Sequence, residues 1–200
     1  MKRTGMLVLA GVLLVLAGGT PLQAQEYAGC WSLKPMAGYS MPMGDLGDKA
    51  DGGIMGAVIV RYNVAKNYSL DMDVSYTHKL ESKLDNMLDS GIDGKYGVFH
   101  VAVGNNFYVA TGRVRPYGSA GLGLYSERKD LVITNFSGEF VDKGTDHRFG
   151  VNIGAGIEAL VGDRAGIVAD IKFHTANEDF RMVTFGIGLN YFLNNPYRTR

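Results

Sequence analysis

Residues Arg181–Leu193, RMVTFGIGLNYFL, decide how the rest of the chain is read. Alternate side chains of an extended strand point to opposite faces. Val183, Phe185, Ile187, Leu189, Tyr191 and Leu193 therefore share one apolar face, while Met182, Thr184, Gly186, Gly188, Asn190 and Phe192 share one that is mostly small or polar. One side is fit to meet hydrocarbon and the other to line a narrow interior.

Working outward, the chain after Ala24 alternates between such period-two stretches and breaks rich in Gly, Asp, Asn and Lys, with no sustained helical periodicity. Eight strands are predicted, over Cys30–Pro42, Gly53–Tyr62, Tyr68–His78, Lys95–Val109, Arg115–Ser126, His147–Leu160, Ala165–Thr175 and Phe180–Leu193. Most are near the length that a tilted strand needs to cross a bilayer, and eight is a permitted number for a closed barrel. The breaks alternate too. Asn63–Asn67, Ala110–Val114 and Val161–Arg164 are short, whereas Met43–Gly52, Lys79–Gly94 and Glu127–Asp146 are long; only the short Ala176–Asp179 departs from the pattern. Short turns on one rim and long loops on the other are characteristic of transmembrane barrels, whose long loops face outward from the cell. Both termini are then expected in the periplasm.

Alternation alone equally suits a soluble, lipocalin-like barrel with its apolar face inside. The polar faces separate the two. They carry Ser119, Gly121 and Gly123 in the fifth strand, Gly150, Asn152, Gly154 and Gly156 in the sixth, and Thr184, Gly186, Gly188 and Asn190 in the last. A water-facing surface would carry Lys, Glu and Thr, so these small faces predict a cramped interior. The opposite faces, with Val58 and Val60, Leu70, Met72 and Val74, Phe99, Val101 and Val103, Leu122 and Leu124, Val151, Ile153 and Ile157, and Ile167, Ile171 and Phe173, then form a lipid-facing band. Tyr62, Tyr76, Phe107, Phe149 and Tyr191 fall toward strand ends, where aromatic girdles sit.

The N-terminus, MKRTGMLVLAGVLLVLAGG, combines Lys2 and Arg3 with an apolar run from Met6 to Ala17 and then Thr20-Pro21-Leu22-Gln23-Ala24, the anatomy of a secretory signal peptide. Residues 1–24 are assigned to that leader and 25–200 to a single barrel domain. Without Lys2 and Arg3 the 20 basic residues fall to 18, against 20 acidic ones, so no concentrated basic face points to nucleic acid. Cys30 is the only cysteine, which excludes an internal disulfide. Tyr27-Ala28-Gly29-Cys30 faintly resembles a lipobox, but Tyr27 stands where Leu is usual and the apolar run ends too early, so Cys30 is read as a buried or interfacial thiol.

Thr184, Gly186, Leu189 and Tyr191 have the polar-x-Gly-x-x-apolar-x-apolar spacing that resembles the C-terminal assembly signal of outer-membrane barrels. Together with WSLKPMAGYSMPMGDLGD (31–48) and RPYGSAGLGLY (115–125), this makes nearly the whole mature chain resemble the outer-membrane β-barrel family typified by outer-membrane proteins A, X and W. The resemblance implies an all-β fold, an eight-stranded antiparallel up-and-down transmembrane barrel, with outer-membrane lipid, lipopolysaccharide and the barrel-insertion machinery as partners. Two departures stand out: NNPYRTR follows the last strand, and no appended peptidoglycan-binding domain is expected.

Candidate chemistry lies among isolated charges on the inward faces: Lys34, Arg61, Asp71, Asp73, Arg148, Glu158, Asp170 and Lys172, with His100 and His174. Equal numbers of acids and bases suit mutual neutralisation in a poorly hydrated lumen. Arg61 with Asp71, and Glu158 with Lys172, are expected as diagonal cross-strand pairs. The stretch His174-Thr175-Ala176-Asn177 is comparable to the His-x-Ser-Asn motif of a lipid A deacylase family, but Ala176 stands where the nucleophilic hydroxyl is required. Asp45, Asp48 and Asp51 are interleaved with glycines and read as a polar turn rather than a calcium site, and KLESKLDNMLDSGIDG (79–94) admits a short helix with Leu80, Leu84 and Met87 on one face. No metal, cofactor or catalytic site is expected. The functional expectation is a structural or surface-interaction barrel; the alternatives are a narrow porin or transporter of small or hydrophobic solutes, a lipid A-modifying enzyme, and a soluble periplasmic barrel with an apolar cavity.

Overall fold

The computed structural model describes residues 27–49, 51–81, 92–135, 138–177 and 179–194. The leader (1–24) and the Leu84 and Met87 positions of the expected short helix lie outside them. Eight strands follow in chain order: β1 (Trp31–Met43), β2 (Gly53–Ala65), β3 (Tyr68–Glu81), β4 (Ile92–Tyr108), β5 (Val114–Asn135), β6 (Gly138–Leu160), β7 (Ala165–Thr175) and β8 (Arg181–Phe192), with a short helix α1 (Asp45–Lys49) between β1 and β2. Each strand pairs antiparallel with its neighbours, and β1 closes on β8 to complete the barrel. Closure satisfies the backbone ladders of both terminal strands, which an open sheet in hydrocarbon could not do.

The period-two pattern sets the faces. Val58, Leu70, Met72, Val103, Leu122, Ile153 and Ile187 are all exposed on the outer wall, as a lipid-facing assignment requires. Trp31, Tyr62, Phe107 and Tyr191 ring the short-turn rim, Trp31 lying 4.8 Å from Tyr62 between ring centroids; Tyr76 and Phe149 stand nearer the other rim.

The third long break is corrected. Residues Glu127–Asp146 are not a loop: β5 and β6 continue as one paired hairpin, in register from Glu127↔Asp146 to Asn135↔Gly138. Its charges, as in ERKD and DKGTD, made it read as a loop, but a strand that has left the bilayer has no need of an apolar face. The sequence between them, LVITN and EFV, keeps β-branched and aromatic residues that favour extension. Pairing of β6 with β7 begins only at Val151↔Thr175, so the hairpin projects past the barrel wall on that side.

The glycines of the inner faces are half of a packing arrangement. A Cβ at Gly156 would overlap the Tyr117 ring, and one at Gly188 would lie 2.6 Å from Met36 Cγ. These strands are thin where a bulky side chain of the paired residue on the neighbouring strand lies over them.

A lysine on the outer wall at mid-height tests the face assignment. Val101 is exposed, between Val74 and Leu124 in the register, and Val101→Lys is expected to lower the folding stability in lipid vesicles by about 2–4 kcal/mol, read from the midpoint of a denaturant titration; an unchanged midpoint would refute the assignment.

Candidate functional site in the barrel lumen

The lumen is filled in tiers. Nearest the short-turn rim, Arg61 on β2 is fully buried and directly opposite Asp71 on β3. Its Nε donates to Asp71 Oδ1 at 2.7 Å and its Nη2 to Asp71 Oδ2 at 2.8 Å, a two-pronged arrangement that holds the guanidinium plane. The remaining nitrogen, Nη1, reaches across the barrel to the Tyr108 hydroxyl and to Glu158 Oε2, 3.4 Å away. Glu158 also accepts from Tyr108 at 3.0 Å and from the Asn190 amide. Arg115 lies against the same carboxylate at 4.0 Å and is held chiefly by rings, with its guanidinium carbon 4.0 Å from the Tyr108 centroid and 5.2 Å from that of Tyr27. Lys34 approaches Asp71 at 3.4 Å.

At mid-height, Lys172 on β7 donates to Asp73 on β3 at 2.7 Å, and Tyr117 donates to Asp170 at 3.3 Å. Two cavities flank the Lys172–Asp73 pair, of about 20 Å³ and about 10 Å³. The larger has room for about one water molecule. The larger is bordered by Asp73 and Ser119, whose Oδ1 and Oγ have no hydrogen-bond partner within the protein. Above them His100 Nδ1 meets Ser75 Oγ at 2.6 Å, while His174 bridges the Tyr125 hydroxyl at 3.0 Å and Thr184 Oγ1 at 3.1 Å.

An apolar cluster lies toward each end of the lumen. Tyr27, Cys30, Leu160 and Phe192 pack together at the short-turn end, with Tyr27 stacked on Phe192 at a centroid separation of 4.2 Å. Leu46 of α1, Tyr96, Val98, Tyr125, Phe180 and Met182 pack at the long-loop end. Between them lie four basic side chains, Lys34, Arg61, Arg115 and Lys172, and four acidic ones, Asp71, Asp73, Glu158 and Asp170, counted among the described residues. Charges withdrawn from water cost several kcal/mol each unless paired, so this balance is the condition for burying any of them.

Three expectations from the sequence are revised here. Glu158 does not pair with Lys172: the register sets Glu158 against Val168 and Lys172 against Gly154, and each long side chain reaches across the lumen instead of along the wall. Arg148 shares the inward face with Tyr125, its register partner, but not the depth of the other charges. It stands half-buried at the long-loop rim, 3.4 Å from Glu127 and 3.6 Å from Asp146, because β6 rises past the barrel before that point. Arg61 and Asp71 face each other directly rather than diagonally. Sequence reasoning missed Arg115, Tyr117 and Tyr125, although they share the odd-numbered inward face with Ser119, Gly121 and Gly123; Tyr108 likewise shares the even face of His100.

Of the expected assembly signal, Thr184 and Gly186 face the lumen and Leu189 and Tyr191 face outward. His174, buried between Tyr125 and Thr184, has Ala176 two residues on and no carboxylate on either ring nitrogen. Asp45 and Asp48 fall within α1, and among the described residues no group of three or more His, Cys, Asp or Glu side chains is disposed to hold a metal.

A family model for the outer membrane protein beta-barrel domain matches residues 10–192. No curated protein sequence matches the chain. Among solved structures, the attachment invasion locus protein Ail of Yersinia pestis is 19% identical with a TM-score of 0.57, covering 83% of this chain and 99% of Ail. Ail has also been described in a phospholipid bilayer nanodisc and in complex with the heparin analogue sucrose octasulfate. Neisserial surface protein A is 14% identical with a TM-score of 0.58, covering 80% of this chain and 96% of that one. OprG from Pseudomonas aeruginosa is 13% identical with a TM-score of 0.56, covering 84% and 97%. At these identities the likeness is one of fold.

Two measurements probe the lumen. Asp71→Asn leaves Arg61 enclosed without its principal counter-charge and is expected to cost about 3–5 kcal/mol, whereas Arg61→Met combined with Asp71→Leu, which removes one charge of each sign, is expected to recover most of that loss in the same titration. Burial also pushes the Cys30 thiol above its usual range, so a neutral maleimide is expected to modify Cys30 far more slowly in the folded barrel than in urea; equal rates would place Cys30 outside the Tyr27 cluster.

Proposed function

The chain belongs to the outer-membrane β-barrel family, and on that premise we propose that it is a sealed surface barrel, a structural or surface-interaction protein of the bacterial outer membrane with no catalysis of its own. The observation that carries this reading is the filled lumen: apolar clusters toward both ends flank a neutral, hydrogen-bonded interior. A pore for solutes would need the Tyr27 cluster and the Phe180 cluster both to leave the axis, and every luminal charge is already committed to a partner or a ring. Catalysis has little support, since the two hydroxyls that His174 meets, of Tyr125 and Thr184, are buried and neither ring nitrogen has an orienting carboxylate. What remains for function is the outside of the barrel: the lipid-facing wall, and the long-loop rim with its β5–β6 hairpin.

Both termini and the short turns lie in the periplasm on this reading, the hairpin lies outside the cell, and outer-membrane lipid and lipopolysaccharide surround the wall. Thr184, Gly186, Leu189 and Tyr191 would be read by the insertion machinery before β8 closes on β1. The conditions in which Ail has been described, a phospholipid nanodisc and a sulfated sugar, are chemically compatible with such lipid and saccharide partners.

The deciding experiment is conductance: the purified barrel in planar bilayers is expected to give no discrete current steps, and reproducible steps would favour the narrow-porin alternative. Orientation is tested on intact cells in a Cys30→Ser background. Gly144 and Gly112 have open space around them; Gly144→Cys is expected to react with a membrane-impermeant maleimide and Gly112→Cys to be protected, and the reverse pattern would invert the topology.

A further inference from the structure

The three short turns share a construction that the sealed lumen does not explain. Each begins with an exposed valine, Val64, Val109 and Val161, at 45%, 77% and 53% exposure. Each then presents an exposed basic residue two to four positions later, Lys66, Arg113 and Arg164. Asp163 is the only acid among residues 64–67, 109–113 and 161–164. Backbone hydrogen bonds fix these turns to the barrel ends: Tyr108 N to Asn67 O at 2.9 Å, Leu160 N to Arg113 O at 2.8 Å, and Phe192 N to Arg164 O at 2.9 Å. Arg113 is further held by its Nε, which donates to Leu160 O at 3.1 Å. At the opposite rim the described charges are mixed, Asp45, Asp51, Glu127, Asp146 and Asp179 with Arg128, Arg148 and Arg181.

We propose that the short-turn rim is a binding surface for the headgroups of anionic phospholipids, with the valines seated at the edge of the hydrocarbon and Lys66, Arg113 and Arg164 reaching to the phosphates. An apolar residue followed closely by a long basic one is the arrangement in which the side-chain stem lies along hydrocarbon while the charge stays at the polar surface. Cations held there draw anionic lipid by about fivefold each at low salt, and guanidinium groups match phosphate oxygens in geometry as well as charge. The proposal rests on the topology given above, which puts this rim in the phospholipid-bearing periplasmic leaflet.

The chain carries its own probe. Trp31 is its one tryptophan; it faces outward at this rim, pairs with Tyr62 and accepts from Leu193 N at 2.9 Å. It therefore sits between the Lys66 turn and the Arg164 turn, with Arg113 on the far side of the barrel. The mature chain is folded into phosphatidylcholine vesicles containing the same minor fraction of dibrominated phosphatidylglycerol or of dibrominated phosphatidylcholine, and quenching of Trp31 fluorescence is compared. The anionic quencher is expected to be the more effective, by a margin that shrinks in high salt. Lys66→Gln with Arg164→Gln is expected to abolish the margin, Lys66→Arg with Arg164→Lys to keep it, and Arg113→Gln to leave it intact. Equal quenching by the two lipids in the unaltered chain overturns the proposal. So does a margin that survives Lys66→Gln with Arg164→Gln, or one that Arg113→Gln removes as completely, which would mark a general field instead of a local contact. Because the brominated lipid occupies both leaflets, this result is independent of orientation, which the cysteine labelling decides separately.

Discussion

A guanidinium cut off from water is the constraint to which the interior of this barrel answers. Arg61 is wholly enclosed, and each of its nitrogens is met: two by Asp71 and the third by Tyr108 and Glu158. Meeting them brings two carboxylates into the lumen, and Lys34 and Arg115 join them there; Lys172, Asp73 and Asp170 form a second group above, whose extra acid offsets the extra base of the group below. Neutrality is thus a property of the whole lumen and not of any one pair. Such a network contributes little net stability compared with an apolar filling of the same shape, because desolvation offsets most of the attraction. Its larger effect is to penalise loss of any single member.

The two faces of the wall are specified by different rules. Outward positions need only be apolar and of moderate size, which Val, Ile, Leu, Met and Phe satisfy interchangeably. Inward positions must match the volume of their partners on the next strand, as Gly156 does for Tyr117 and Gly188 does for Met36. A fold set by so general a rule on its larger surface tolerates extensive sequence change, consistent with a shared barrel at 13–19% identity.

The eight strands, their order and the outward face were legible because hydrocarbon on one side and a crowded lumen on the other impose a strict period of two. Legibility failed where that period lost its cause. Beyond the bilayer β5 and β6 meet water, so charges no longer signal a loop, and the hairpin from Glu127 to Asp146 was missed for that reason. Within the lumen, parity identified Arg61, Asp71, Asp73, Glu158 and Lys172 as inward, but it carries no information about contacts between strands on opposite walls. Glu158 accordingly finds Arg61, 97 residues away, and Lys172 finds Asp73 at a separation of 99, instead of finding each other. Arg115, Tyr117 and Tyr125 share a face with Ser119, Gly121 and Gly123, so the small residues at its centre mask the bulky ones at its ends.

These separations have a kinetic meaning. Arg61 and Asp71 are ten residues apart on one hairpin, and their contact closes a short loop as soon as β2 meets β3. The bridges from Glu158 and Lys172 span half the chain and cannot form until the two sides of the wall come together, after the entropy of a much larger loop has been lost. Until then Lys172 and Asp73 remain hydrated. Closing β1 on β8 is therefore a drying step as well as a pairing step, in which water is expelled from the lumen as the distant partners replace it, and the barrel's slowest passage is expected to coincide with the loss of that internal water.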